Sequence, residues 1–344
     1  MTLKIGSTHI GDKSPVFIVA EIGGNFSTFE QGKKLIHSAI SCGANAVKIQ
    51  TFTAETLVSK YATFNMPNVG GKKNQIDIIR QLELDTRIQK KLFDYCKTKK
   101  ITFFSTPSHK SDVDFLEEIG NKIYKIGSDD LTNLPLMKYI AKLQKTTIIS
   151  TGMSNLDEVK EAVQIFRRVK NQQLAILHCV SMYPHDPKYA NLYAIEKMKN
   201  EFKLPVGWSD HTLGIETCIA ASLSGANIIE KHFTLNKKAK GPDHALSADP
   251  NELSTMVQNI RMNERMVGDG IKKPAICELG NRKNVRKSIV ALKDIQPGTI
   301  ITSNLIEIKR PGTGCSPSDI KKIIGRKAKR RIKKDKPIIL NDLR

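Results

Sequence analysis

Short runs of β-branched and aromatic residues recur along the chain at Val16–Ala20, Ala46–Ile49, Ile101–Ser105, Ile123–Ile126, Thr147–Ser150, Leu174–His178, Val206–Ser209 and Asn227–Glu230. Between them the period changes. Apolar residues fall three and four apart at Leu35, Ile36, Ala39 and Ile40, at Val159, Ala162, Val163 and Phe166, and at Ile219, Ala220 and Leu223, the spacing of amphipathic helices. Strands alternating with helices predict a parallel sheet, because each parallel pair needs a helix-length crossover. Eight such repeats fit a (β/α)8 TIM barrel better than a doubly wound sheet, and no G-x-G-x-x-G follows the first strand.

The longest interruption, Thr53–Asn74, separates the second and third predicted strands. Long βα excursions in barrels cover the mouth, so this segment is expected to be a lid or substrate loop. The helical pattern dissolves over Gly268–Asn284. A barrel domain over 1–280, with a linker from about 268, and a small domain over 281–344 are therefore expected. The second carries short strand and turn signals at Ser288–Leu292, Thr299–Ile301, Leu305–Ile308 and Pro337–Leu340.

With 344 residues, 40% apolar and 26% charged, the chain can bury a sizeable core and does not read as disordered. No apolar run approaches the roughly 20 residues that span a bilayer, and the first 15 residues lack a secretion signal. Six scattered cysteines without a C-x-x-C suit reduced thiols. Cytoplasmic location, no membrane and no disulfides are expected. The net charge of +21 suggests a polyanion partner, but it is local: residues 282–344 hold 18 basic and 5 acidic side chains. Within Lys321–Lys336, ten residues are basic and one acidic, with no aromatic residue for base stacking. A solvated face is favoured over nucleic-acid binding.

Polar residues stand at the C-terminal ends of nearly all the predicted strands, which in a barrel form the active-site rim. Lys48 and Lys125, with the hydroxyls of Thr106, Ser128, Ser150 and Ser209, make a cradle suited to a phosphorylated small substrate. His211 and His232, on neighbouring strand ends, suit a divalent metal with open positions. His178, inside its strand, reads as a satisfied core histidine. Glu21 is a lone carboxylate at the mouth, open to acid/base work or to a salt bridge with Lys48 or Lys125.

The strings Ala20-Glu21-Ile22-Gly23, Val47-Lys48-Ile49-Gln50-Thr51, Ser105-Thr106-Pro107, Tyr124-Lys125-Ile126-Gly127-Ser128, Ser150-Thr151-Gly152-Met153, Trp208-Ser209-Asp210-His211-Thr212, Glu230-Lys231-His232-Phe233 and Gly241-Pro242-Asp243 occur in that order. In them the chain resembles the N-acetylneuraminate (sialic acid) synthase family, including its legionaminate and pseudaminate branches. The tail, with Leu292–Gly298 and Lys309-Arg310-Pro311-Gly312, resembles that family's antifreeze-like (SAF) domain. The resemblance implies condensation of phosphoenolpyruvate with an N-acylated amino-sugar, giving a nonulosonic acid and phosphate. It implies that Lys48, Thr106, Lys125, Ser128, Ser150 and Ser209 hold phosphoenolpyruvate. His211 and His232 would bind Mn2+, with Mg2+ or Co2+ as alternatives, and Glu21 would handle water. Gln50, Tyr183 and Asp243 would contact sugar or reacting groups. Arg310 would reach the mouth of the partner subunit in a domain-swapped homodimer.

Departures fall on the sugar side. Asn25-Phe26 replaces the family's Asn-His, Gly127-Ser128-Asp129-Asp130 replaces Gly-Ser-Gly-Glu, so that Asp130 would stand in for the longer carboxylate, and Ser181 replaces an asparagine. N-acetylmannosamine is the first expected acceptor, with a 2,4-diacetamido hexose next. Two rival readings exist: a phosphoenolpyruvate barrel enzyme acting on a phosphorylated sugar, which the small C-terminal domain disfavours, and a nucleic-acid binder using the basic tail.

Overall fold

The computed structural model describes residues 2–6, 8–66 and 71–344. A hairpin of β1 (Leu3–Ile5) and β2 (Thr8–Ile10) precedes eight parallel strands: β3 (Phe17–Glu21), β4 (Ala46–Thr51), β7 (Thr102–Pro107), β8 (Ile123–Ile126), β9 (Thr146–Ser150), β10 (Leu174–Cys179), β11 (Val206–Asp210) and β12 (Ile228–His232). They close in sequence order, β12 pairing with β3, as a TIM barrel. β5 (Thr63–Met66) and β6 (Gly71–Asn74) form a hairpin inside the long second βα excursion, after the short helix α2 (Ala54–Leu57). Residues 67–70 of the expected lid lie outside the described residues. Most strands run one or two residues past their predicted ends, so Glu21, Gln50, Thr106 and His232 belong to the ladder itself. Their inward side chains are polar, which hid the continuation of the β pattern.

Around the barrel lie α1 (Phe29–Ser41), α4 (Thr86–Lys99), α5 (Lys110–Glu118), α6 (Leu134–Lys142), α7 (Leu156–Arg168), α8 (Tyr193–Phe202), α9 (Glu216–Leu223) and α10 (Pro250–Val267); α3 (Gln75–Arg80) follows the β5–β6 hairpin. Local sequence explains α7. Asn155 caps the helix in a capping box with Glu158, Arg167 and Arg168 occupy the last turn, and Val159, Ala162, Val163 and Phe166 face the sheet. The face expected for α9 is different. Cys218 and Ala221 are buried while Leu223 is exposed, because this helix is apolar on several sides and periodicity alone does not select one.

The barrel interior has two levels. Phe17, Val19, Ala46, Phe104, Ile123, Ile148, Ala175, Leu177 and Ile228 form one cluster with Leu3, Ile5 and Ile10 of the hairpin. The hairpin therefore plugs the N-terminal end. Two residues further along each strand, on the same face, the interior becomes polar.

The chain packs as two units, Met1–Gly268 and Asp269–Arg344. The second contains α11 (Leu279–Val285), the antiparallel pair β13 (Ser288–Ala291) and β14 (Ile306–Lys309), and the short helix α12 (Ile320–Ile323). Within its basic run, Ile323, Ala328 and Ile332 are core residues and the charged side chains are exposed. All six cysteines are free. Among the described residues, no helix is long and apolar enough to cross a membrane.

Candidate active site

A cavity of about 330 Å³ opens at the C-terminal end of the barrel. Strand alternation builds its wall. Val19 is followed two residues later by Glu21, Ala46 by Lys48 and then Gln50, Phe104 by Thr106, Ile123 by Lys125, Ile148 by Ser150, Leu177 by Cys179, and Ile228 by Glu230 and then His232. The structure brings Lys48, Gln50, Thr106, Lys125, Ser128, Ser150, Tyr183, Ser209, His211 and His232 to this one cavity. Glu21 adjoins it through Lys48, and Asp243 lies with its Oδ2 3.7 Å from Nδ1 of His232. Arg310 is an exposed residue of the second unit. His178 does not line the cavity: its Nε2 stands 2.8 Å from the Ala190 carbonyl oxygen, and its ring packs on Trp208.

The charge balance differs from the predicted cationic cradle. Glu21 forms a buried ion pair with Lys48, and Glu230 lies 3.9 Å from Lys48 and 3.6 Å from Lys125. The two lysines are thus matched by two carboxylates. Lys48 also donates to Thr106 Oγ1 (3.2 Å) and Lys125 to Ser150 Oγ (2.6 Å), while Ser209 donates to Glu230 Oε1 (3.0 Å). Burial pushes Glu21 above the usual carboxylate range although Lys48 opposes it. Burial disfavours the Lys48 ammonium too, but Glu21 and Glu230 outweigh it and raise its pKa. Lys125, more weakly compensated, is lowered by burial.

Gly23 is required by this arrangement. A Cβ there would stand 2.5 Å from Glu21 Oε1, the oxygen that accepts the Gly23 amide at the same distance. The Asp129-Asp130 pair resolves against expectation. Asp129 lines the cavity and folds over Gly127. Asp130 turns away, buried, and accepts from Asn133 at the start of α6. Asp129 is the carboxylate at the mouth, because the turn after β8 points successive side chains in opposite directions.

His211 and His232 are 5.4 Å apart by ring centroid, and Tyr183 packs 3.9 Å from the first and 6.0 Å from the second. The Nδ1 of His211 is 3.0 Å from the Val180 carbonyl oxygen, which leaves Nε2 free as a ligand in the neutral tautomer. Burial lowers His211 to about 4 and His232 well below its ordinary value, so both rings are unprotonated, as metal ligation requires. Nδ1 of His232 is buried without a hydrogen-bond partner. These features fit a divalent cation held by two imidazoles. Among the described residues, no group of three or more His, Cys, Asp or Glu forms a protein-only metal cage, so remaining positions would fall to substrate or water.

Sequence reasoning gave no role to Cys179, Ser181, Asp129 or Glu230, all of which line the cavity. The period of two in β10 and β12 already turned Cys179 and Glu230 inward. Phe52, Leu57 and Met153 complete an apolar outer rim.

The profile of the NeuB family matches residues 35–272, and that of the SAF domain matches 286–344. The chain belongs to the NeuB family. This NeuB-family chain is 42% identical to the N,N'-diacetyllegionaminic acid synthase of Campylobacter jejuni over 93% of its own length and 98% of the relative's. Its identity to the Legionella pneumophila protein of the same name is 39%, over 92% and 91%. The crystal structure of the N-acetylneuraminic acid synthetase from Leptospira borgpetersenii superposes with a TM-score of 0.73 at 32% identity, over 82% of this chain and 95% of that one. NeuB-family proteins are sialic-acid-type synthases, enzymes that condense phosphoenolpyruvate with a sugar, and this chain is one of them.

Proposed function

We propose that this synthase joins phosphoenolpyruvate to a 2,4-diacetamido hexose, yielding a legionaminate-type nonulosonic acid and phosphate. The observation that carries the reaction is the polar wall: two lysines and four hydroxyls lining one cavity, with two neutral imidazoles beside them. The acceptor follows from the 42% and 39% identities to diacetyllegionaminate synthases. The apolar rim of Phe52, Leu57 and Met153 supports it, since a second acetamido methyl gains by leaving water there. N-acetylmannosamine, the first expectation from sequence, is the second reading, favoured by the likeness to the Leptospira sialic acid enzyme.

Lys48, Thr106, Lys125, Ser128, Ser150 and Ser209 hold phosphoenolpyruvate through its anionic oxygens. C3 of the enol attacks the sugar aldehyde carbon, and the carbonyl electron pair passes to its oxygen, which takes a proton. His211 and His232 would hold a divalent cation, Mn2+ in this reading, which would supply Lewis-acid polarisation of that aldehyde. Glu21 orients the water that adds at C2 and accepts its proton, helped by a pKa that burial raises. The tetrahedral adduct then breaks the bond from C2 to the oxygen that bridges to phosphorus, phosphate leaves with the electron pair, and the C2 hydroxyl gives up its proton to the departing phosphate as it becomes the ketone. Gln50, Tyr183 and Asp243 face the sugar. Arg310 serves the barrel of a second copy, in a domain-swapped dimer.

Incubating the enzyme and Mn2+ with phosphoenolpyruvate and each acceptor in turn, with mass detection of products, tests the proposal. A kcat/KM at least about tenfold higher for the diacetamido hexose is expected, the scale on which one apolar pocket group discriminates. A preference for N-acetylmannosamine would transfer the assignment to the second reading, and no condensation with either would overturn both.

A further inference from the structure

Glu230 is a buried carboxylate in the wall of an anion site, where its charge opposes binding. Its Oε1 lies within 4 Å of both lysines and accepts the Ser209 hydroxyl, while Oε2 has no hydrogen-bond partner. In the ligand-free enzyme it therefore holds the Ser209 hydroxyl and stands beside the Lys48 and Lys125 ammoniums, where a phosphate oxygen would compete with it. Such a group weakens anion affinity twice, by like-charge repulsion and by competing for the same donors.

We propose that Glu230 is an internal counter-anion that speeds the release of inorganic phosphate. Without Glu230, phosphate departure would leave Lys125 with no carboxylate within 4 Å among the described residues, Lys48 with Glu21 alone and the Ser209 hydroxyl without its acceptor, at a high desolvation cost. Glu230 meets those donors at once, so the empty cradle is a low-energy state and product does not linger. Phosphoenolpyruvate offsets the same penalty with additional contacts through its carboxylate. Glu230 thus separates the affinity for substrate from that for the product fragment they share.

The inference rests on the proposal that this cradle holds phosphoenolpyruvate, and the two fail differently. In the full-length wild-type enzyme, inorganic phosphate should inhibit competitively against phosphoenolpyruvate. Absence of that inhibition in wild type and Glu230→Gln alike would overturn the cradle assignment itself, whereas its appearance in Glu230→Gln alone would support the weakening by Glu230. Given competitive inhibition, calorimetric titration of Glu230→Gln with inorganic phosphate should show affinity raised at least about tenfold, the scale for removing one nearby like charge. Its progress curves should bend as phosphate accumulates. Glu230→Asp, which keeps the charge, should stay near the wild-type phosphate affinity. Glu230→Ala makes the same charge change with different packing and substitutes if Glu230→Gln does not fold. Unchanged or weaker phosphate binding in a folded charge-removing variant would overturn the inference and leave Glu230 as a spacer between lysines.

Discussion

Asp210 Oδ2 and Lys231 Nζ lie 2.6 Å apart between β11 and β12, and neither side chain touches solvent. Trp208, Thr212 and Thr217 also donate to Asp210, and Lys231 donates to the Thr212 carbonyl. Asp210→Asn strands a buried ammonium and should cost about 3–5 kcal/mol, read from urea unfolding. Adding Lys231→Met should recover part of that loss. A single-variant cost below 1 kcal/mol would show that water reaches the pair.

Replacing His211 or His232 by Ala should abolish most metal-dependent activity and lower bound metal as measured by elemental analysis, because each supplies one of two imidazoles. His178→Ala should retain metal and lose stability alone. EDTA-resistant wild-type activity in His211→Ala would refute the metal assignment.

Glu21→Gln should preserve phosphoenolpyruvate binding while kcat drops roughly 10²-fold or more, the usual scale for lost general acid/base help. Parallel losses in affinity and turnover would instead reduce Glu21 to the structural partner of Lys48.

The barrel was legible because its period is two: each strand's apolar residues pointed to the polar ones beyond them, and Lys48, Lys125, Ser150 and His232 lie on that continuation. What was not legible depends on convergence. Glu230 neutralises lysines from β4 and β8 only once the sheet has closed, and no local pattern reports the partner. The exchange of Asp130 for Asp129 turned on backbone geometry that two adjacent identical side chains do not encode. The α9 face was ambiguous because apolar residues surround it.

Asp130 offers a stability test. Burial raises its carboxyl to about 6, Asn133 opposes, and Asp129 and Asp112 add to the rise. The folded carboxyl holds its proton above the unfolded value, so the stability that Asp130 contributes is full below pH 4 and is lost as pH rises through about 6. Asp130→Asn should therefore gain about 3 kcal/mol at pH 8 and nothing at pH 4. Equal melting temperatures at pH 8 would show the carboxylate to be solvated.

Mixing Glu21→Gln with Arg310→Ala subunits tests the trans arrangement. If Arg310 completes the partner's barrel, exchange regenerates activity in one mouth per heterodimer. Proven heterodimers without recovery would exclude it.

The alternation at the ends of β11 and β12 also bears on how this scaffold can diversify. In Ser209-Asp210-His211 and Glu230-Lys231-His232, residues facing the chemistry interleave one by one with the Asp210–Lys231 pair behind the wall. Mutational drift in either tripeptide meets catalysis at one step and foldability at the next. New acceptor preferences are therefore channelled to Phe52, Leu57, Asp129 and Met153, beyond the strands, where sequence can change without renegotiating the barrel.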